Sequence, residues 1–283
     1  MADIVAHPSA RRKVSPAAFI DGLPITCASR DYVMKEIGRA ISAREYGHYI
    51  AVTNPESMYH GQRIPSIGEF IRNSDFSVCD GVGVILAGLS WGHVVPRFPG
   101  PILHLLASEW GIEHSWRHFY FGGKEGVADL LAIKLKERYP GLIVCGTYCP
   151  PFGEISPEED KRIVQIINDA KPDIVWVGLG AHKQEKWIAA HQDRLQVPWH
   201  IGVGASFDYH AGTVPWAPAL IRAMGMEWLF RLIVEPKVRA RRTWWHLVYV
   251  VQTFLKGIST LAFLRPKRIA ENETTNGIST MQS

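Results

Sequence analysis

The feature that most limits the fold of this chain is an alternation. From about Ile25 to Gly204, short runs rich in β-branched and aromatic residues take turns with stretches of helical periodicity. The β-rich runs are "HYIAVT" (48 to 53), "FSVC" (76 to 79), "HFYFGG" (118 to 123), "LIVCGT" (142 to 147), "DIVWVGLG" (173 to 180) and "WHIGVG" (199 to 204). Helices are expected near Asp31 to Arg44, from Glu56, at Val82 to Leu89 and at Ile102 to Trp110. More are expected at Glu125 to Tyr139, at Pro157 to Asp169 behind the capping-box-like "SPEE", and at Lys183 to His191. Strands separated by helices give a mainly parallel sheet with helices on both faces, so the expected class is α/β and Rossmann-like. With 283 residues, 47% of them hydrophobic, the chain has material for a sizeable core.

Composition shifts divide the chain into four parts. Residues 1–20 read as a disordered polar arm lacking a continuous apolar segment of signal-peptide length, and residues 21–215 as the α/β core. Residues 216–268 read as a basic helical appendage, and residues 269–283 as a disordered tail. Between Arg222 and Arg268 ten lysines and arginines face two acids, Glu227 and Glu235, although the whole chain carries a formal charge of only +4. The apolar run from Trp244 to Leu264 is broken by His246, Gln252, Lys256 and Gly257, which spoils it as a membrane span. Tryptophans at one end and Arg265, Lys267 and Arg268 at the other fit a helix lying in the headgroup region of an anionic membrane. The same run would serve a subunit interface, which leaves a homo-oligomer open; no nucleic-acid partner is expected. Cys27, Cys79, Cys145 and Cys149 form no disulfide framework and no zinc-spaced pairs, so reduced thiols and a cytoplasmic location are expected.

Parallel sheets bind ligands beyond the carboxyl ends of their strands. The segments placed there are "TNPES", "DGVG", "GGKEG", "GLGAHKQE" and "GVGASFD", and all five are expected on one rim. Asp80 is the acid directly at a strand end. It suits either the cap of the following helix or a general base, ionised at its usual pKa of about 3.9 and able to take a hydroxyl proton. The pattern leaves both open. Gly122 and Gly123 suit a phosphate cradle or close helix-to-sheet packing. A nicotinamide or flavin site would need an acid about 20 residues on, and the next strand runs into "CGTYCPPFG" with none before Glu154. Gln184 offers both a donor and an acceptor to a nucleobase or sugar edge, whereas Glu185 reads as ordinary first-turn helix chemistry.

Taken in order, "DGVGVILAGLSWG", "PRFPG", "FGGKEGVADLLAIKLKERYPGL", "VGLGAHKQEKW", "GVGASFDYHAGTVPWAPALIRAMGMEWLFRL" and "EPKVRARR" resemble the WecG/TagA/CpsF family of bacterial glycosyltransferases. The resemblance runs from roughly Ile25 to Arg242. It implies an inverting, metal-independent transfer of a hexose, N-acetylmannosamine first among them, with no cofactor. The implied donor is a UDP-sugar, the implied acceptor a sugar on undecaprenyl diphosphate, and the implied place the cytoplasmic face of the membrane, in cell-surface polysaccharide synthesis. No Asp-x-Asp pair stands on the rim to hold a divalent ion against a diphosphate. The resemblance makes Asp80 the general base and puts Thr53 and Asn54 near the acceptor. It puts Arg97, Gly100, Gly122, Gly123, Gln184 and Gly204 near the donor, with Asp208 at the same strand end as Gly204. Arg231, Arg241 and Arg242 would meet the diphosphate from the appendage, where Val238 replaces a commonly basic residue and Arg239 stands beside it. Two rival readings are the same chemistry with UDP-glucose or another hexose in exopolysaccharide synthesis, and a membrane-docked protein that binds nucleotide sugars without turnover.

Overall fold

The computed structural model describes residues 16–151, 153, 155–237, 243–244 and 246–260. The chain opens with an antiparallel hairpin, β1 (Ala17–Ile20) and β2 (Leu23–Thr26), joined by Asp21 and Gly22, both at positive φ. A two-residue Asp-Gly turn of this kind follows the right-handed twist of the strands it joins. The disordered arm expected over residues 1–20 is therefore corrected at its end: Ala17–Ile20 form a strand, with Ile20 fully buried. Residues 1–15, and the tail over residues 269–283, lie outside the described residues.

Six strands build the main sheet: β3 (His48–Thr53), β4 (Phe76–Cys79), β5 (Arg117–Gly122), β6 (Ile143–Tyr148), β7 (Ile174–Gly178) and β8 (Trp199–Gly202). Their order is β4-β3-β8-β7-β5-β6, and every neighbouring pair is parallel. Around them run α1 (Arg30–Ser42), α2 (Pro55–Gly61), α3 (Pro65–Asn73), α4 (Val82–Ser90), α5 (Gly100–His114), α6 (Val127–Arg138), α7 (Pro157–Ala170), α8 (Lys183–His191) and α9 (Ser206–Ala211). The appendage contributes α10 (Ala219–Ala223), α11 (Glu227–Val234) and a helix over residues 246–260.

The sheet is buried on both faces because its strands are apolar at successive positions, not only at alternate ones. In β7 the side chains of Ile174 and Trp176 join the cluster that holds Val33, Leu103 and Phe207, while Val175 and Val177 join the opposite one with Met58, Trp187 and Ile188. Helix starts follow capping chemistry. Ser29 accepts the Tyr32 N–H to open α1, and Ser156 of the "SPEE" stretch accepts the Glu159 N–H to open α7. The pairings Thr53 with Cys79, Gly122 with Gly178 and Val177 with Gly202 bring the carboxyl ends of five strands level. The five loops expected on one rim are therefore on one rim. All four cysteines are free thiols.

Candidate active site

Asp80 leaves β4 on that rim, its N–H held by the Thr53 carbonyl at 2.8 Å. The next helix, α4, is capped by the backbone of Gly81 at φ 128, with no side-chain cap. Asp80 is thus not the cap of the helix that follows it. Its carboxylate instead accepts the backbone N–H of Gly100, the first residue of α5. The approach of α5 is set by the segment before it, which lies beside β4: Cys79 bridges to Arg97 in parallel and the Phe98 N–H bonds the Cys79 carbonyl at 2.8 Å. Gly100 is buried, and a Cβ there would come within 3.2 Å of Val52 Cγ1. Its place in the fold is to deliver an N–H to Asp80.

Burial pushes the Asp80 carboxyl up to about 7, helped by the charge of Glu227 and opposed by Arg97, Arg231 and the Gly100 N–H. Three of those groups belong to or touch the appendage. Arg97 donates from Nη1 to the Arg222 carbonyl and its Nη2 lies 3.8 Å from Glu227 Oε2, while Arg30 donates to the Arg97 carbonyl at 2.7 Å. Glu227 also accepts from the Trp216 indole N–H at 3.3 Å. Arg231 pairs with Glu235 at 2.8 Å and its guanidinium stands 5.2 Å from the centre of the Tyr209 ring. Burial raises the Tyr209 phenol, Arg231 pulls it back, and Glu227 and Asp80 both act on it, so Tyr209 shares the same charged neighbourhood. The turn between α10 and α11 reaches the rim through Gly225 at φ 72, where a Cβ would fall 2.0 Å from Val82 Cγ2. Only glycine fits that approach.

At the β7 and β8 end, Gln184 and Gly204 meet: a Cβ on Gly204 would be 3.5 Å from Gln184 Oε1, and the Gln184 amide packs on Gly202. Gln184 is 7% exposed and Glu185 8%, and among the described residues neither Gln184 Oε1 nor Glu185 Oε2 has a hydrogen-bond partner. Burial raises the Glu185 carboxyl to about 7 against its bonds to its own N–H, to the backbone of His182 and to Gln184. Buried polar atoms left unpaired at a strand end mark a place for a ligand's hydroxyls or amides. Glu185 was expected to be a routine first-turn acid, and its burial is what changes the reading.

Other expected residues have structural duties. Thr53 is fully buried with its hydroxyl on Ser77 Oγ at 2.8 Å, so its side chain lies within the sheet and not on the rim. Asn54 caps α2, accepting the Ser57 N–H at 3.0 Å. The Gly123 N–H bonds the Gly178 carbonyl at 3.0 Å and is not turned to a phosphate. A Cβ on Gly122 would strike Gly178 C at 2.9 Å, which is the packing role weighed from the sequence. Asp208 accepts from the Thr213 hydroxyl at 3.1 Å. Arg241 and Arg242, like Val238 and Arg239, lie outside the described residues. Sequence reasoning passed over Glu227 and Tyr209; Glu227 stands inside the "GMEWLFRL" stretch, an acid in a basic segment.

Glu56, His60 and His182 converge on the same rim, each offering one ligand atom within 4.8 Å of the others. His246 lies beside this group, its Nε2 3.6 Å from Glu56 Oε2.

The family model described as the WecG/TagA/CpsF family of glycosyl transferases matches residues 18–261. Two curated relatives, from Staphylococcus aureus strains NCTC 8325 / PS 47 and COL, are each named N-acetylglucosaminyldiphosphoundecaprenol N-acetyl-beta-D-mannosaminyltransferase. Each is 29% identical to this chain over 192 residues, covering 67% of this chain and 73% of the relative.

Proposed function

The chain belongs to the WecG/TagA/CpsF family of glycosyltransferases, and from that premise we propose that it transfers N-acetylmannosamine from a UDP-sugar to an N-acetylglucosaminyl-diphospho-undecaprenol acceptor. The acceptor and the transferred sugar are those in the relatives' names. The observation that carries the reading is the setting of Asp80, which is at the rim, leaves the capping of α4 to the backbone of Gly81, and is pushed up to about 7. A base poised near the working pH combines a useful ionised fraction with real proton affinity. Asp80 removes the proton from the acceptor hydroxyl as its oxygen attacks the anomeric carbon. The bond from that carbon to the diphosphate oxygen breaks, and UDP leaves from the opposite face. Attack opposite an α-linked diphosphate gives the β-anomer that the relatives' names specify.

The departing diphosphate is met by Arg231, with Arg97 bracing α11 through Glu227 and Arg241 and Arg242 completing the set. Gln184, Glu185 and Gly204 take the donor's hydroxyl and amide edges. Asn54, whose amide oxygen accepts the Ser57 N–H, borders the acceptor. No helix among the described residues is long and apolar enough to cross a membrane. Trp244, Leu247, Val251, Phe254 and Ile258 are nevertheless all exposed at helical spacing, which suits an interfacial seat on the cytoplasmic membrane face.

The experiment is to offer the enzyme a short-chain lipid-diphosphate N-acetylglucosamine with a panel of UDP-sugars and to follow UDP release. Release that needs the acceptor and is fastest with UDP-N-acetylmannosamine is expected. Equal release without the acceptor, or none with any donor, contradicts the reading.

A further inference from the structure

We propose that Glu56, His60, His182 and His246 form a zinc site that clips the appendage to the α/β core. The first observation is convergence from three distant segments. Glu56 and His60 sit one turn apart on α2, His182 opens α8 after β7, and His246 stands in the helix over residues 246–260. His182 Nε2 lies 4.0 Å from Glu56 Oε1, and His246 Nε2 lies 3.6 Å from Glu56 Oε2, so the two imidazoles address different oxygens of one carboxylate. The His60 and His182 ring centres are 4.3 Å apart at 73°. Ligand atoms around a tetrahedral zinc stand about 3.3–3.4 Å apart, given bonds of about 2.0–2.1 Å to nitrogen. Glu56, His60 and His182 have ligand atoms all within 4.8 Å of one another, wider than that spacing, and His246 reaches the group at Glu56; rotations of these half-buried side chains would draw the set together around an ion.

The second observation is backbone strain. His182 sits at φ 66, one of few side-chain-bearing residues with positive φ among the described residues. A non-glycine residue held there at the mouth of a site is a reason to look for what its side chain does. The third is the chemistry of the set. Three imidazoles and one carboxylate, with no thiolate, suit a borderline cation such as zinc and not calcium or magnesium. Glu185, which feels the charge of Glu56, adds a second acid beside the site.

The consequence is mechanical. Pro55, next to Glu56, packs on Gly83 at the start of α4, and Val250, one turn after His246, packs there too. Trp91 donates to the Thr253 carbonyl at 3.3 Å and Lys256 pairs with Asp21 at 2.9 Å, so the helix is seated along its length by ordinary contacts. A metal at its first turn would fix that end beside α2 and α8. The ion holds structure here and takes no part in moving the proton or the sugar.

The test uses the full chain purified without a histidine tag, loaded with zinc, and dialysed against metal-free buffer. Expected are one zinc per chain, the visible bands of tetrahedral cobalt on substitution, and a melting temperature about 5 °C or more above the stripped protein. His60→Ala and His182→Ala should each lose the bound ion and the zinc-dependent rise while melting like stripped wild type. His246→Ala should bind more weakly and lose the protection that zinc gives the appendage against proteolysis. Wild type that retains no zinc, or His60→Ala and His182→Ala that retain as much as wild type, would overturn the site. Unchanged affinity in His246→Ala would remove the clip.

Discussion

The core and the first two helices of the appendage, α10 and α11, treat apolar side chains in opposite ways. In the core, consecutive residues of β7 are buried to opposite faces and the helices bury their inner stripes. In the appendage, α10 and α11 contain no buried residue, while Leu220, Met224, Trp228 and Ile233 stay exposed. What holds α10 and α11 to the core is a glycine approach at Gly225, the contacts of Arg97 with Arg222 and Glu227, and Arg231 over the Tyr209 ring, all around Asp80. The difference separates folding from function. The core keeps its own hydrophobic stabilisation, while α10 and α11 bring charged side chains beside Asp80 and leave apolar ones on the surface.

Variants on either side of that divide test it. The largest effect belongs to Asp80→Asn, expected to lower transfer by about 10²-fold or more. Stability should move the other way. A carboxyl held near 7 in the folded chain but near its usual value when unfolded costs stability as pH rises from about 4 through 7. Asp80→Asn should therefore melt at or above wild type at pH 8, read by circular dichroism. Next comes Gly225→Val, which forces a side chain into Val82 at a backbone angle valine avoids. Displacing α11 by about 1 Å should cost about 10²-fold in rate at most, with the core's melting transition retained. The smallest catalytic effect is expected from Leu247→Glu with Val251→Glu. Partitioning onto anionic vesicles should fall about ten-fold or more, while turnover on a soluble short-chain acceptor stays within about two-fold.

How much of this was legible in the sequence depended on how local each cause is. β3 and β4 were readable to the residue because a short β-rich run between helical stretches is its own signal. The β1 and β2 hairpin was missed although "IDGL" carries an Asp-Gly turn, because each strand is only four residues long and one lay in a stretch read as a polar arm. Asp80 stood out in the sequence, but only the structure shows that it leaves α4 to the backbone of Gly81 and accepts an N–H from α5, twenty residues on. Thr53 looked like a rim residue because it ends a strand, and the pleat turns its hydroxyl to Ser77 instead. Glu227 beside Asp80, and His246 beside Glu56, are tertiary contacts across about 150 to 190 residues that no spacing rule reaches.

Whether the appendage tunes the proposed base is tested most directly by the pH dependence of kcat/KM for wild type, Glu227→Gln and Arg231→Ala. With Asp80 as the proposed base, active when ionised, wild type should show an acid limb with an apparent pKa of about 7. Removing the negative charge of Glu227 should move that limb to lower pH, and removing the positive charge of Arg231 should move it to higher pH. A profile that stays flat from pH 5 to 8, or a limb that neither variant moves, would contradict the account.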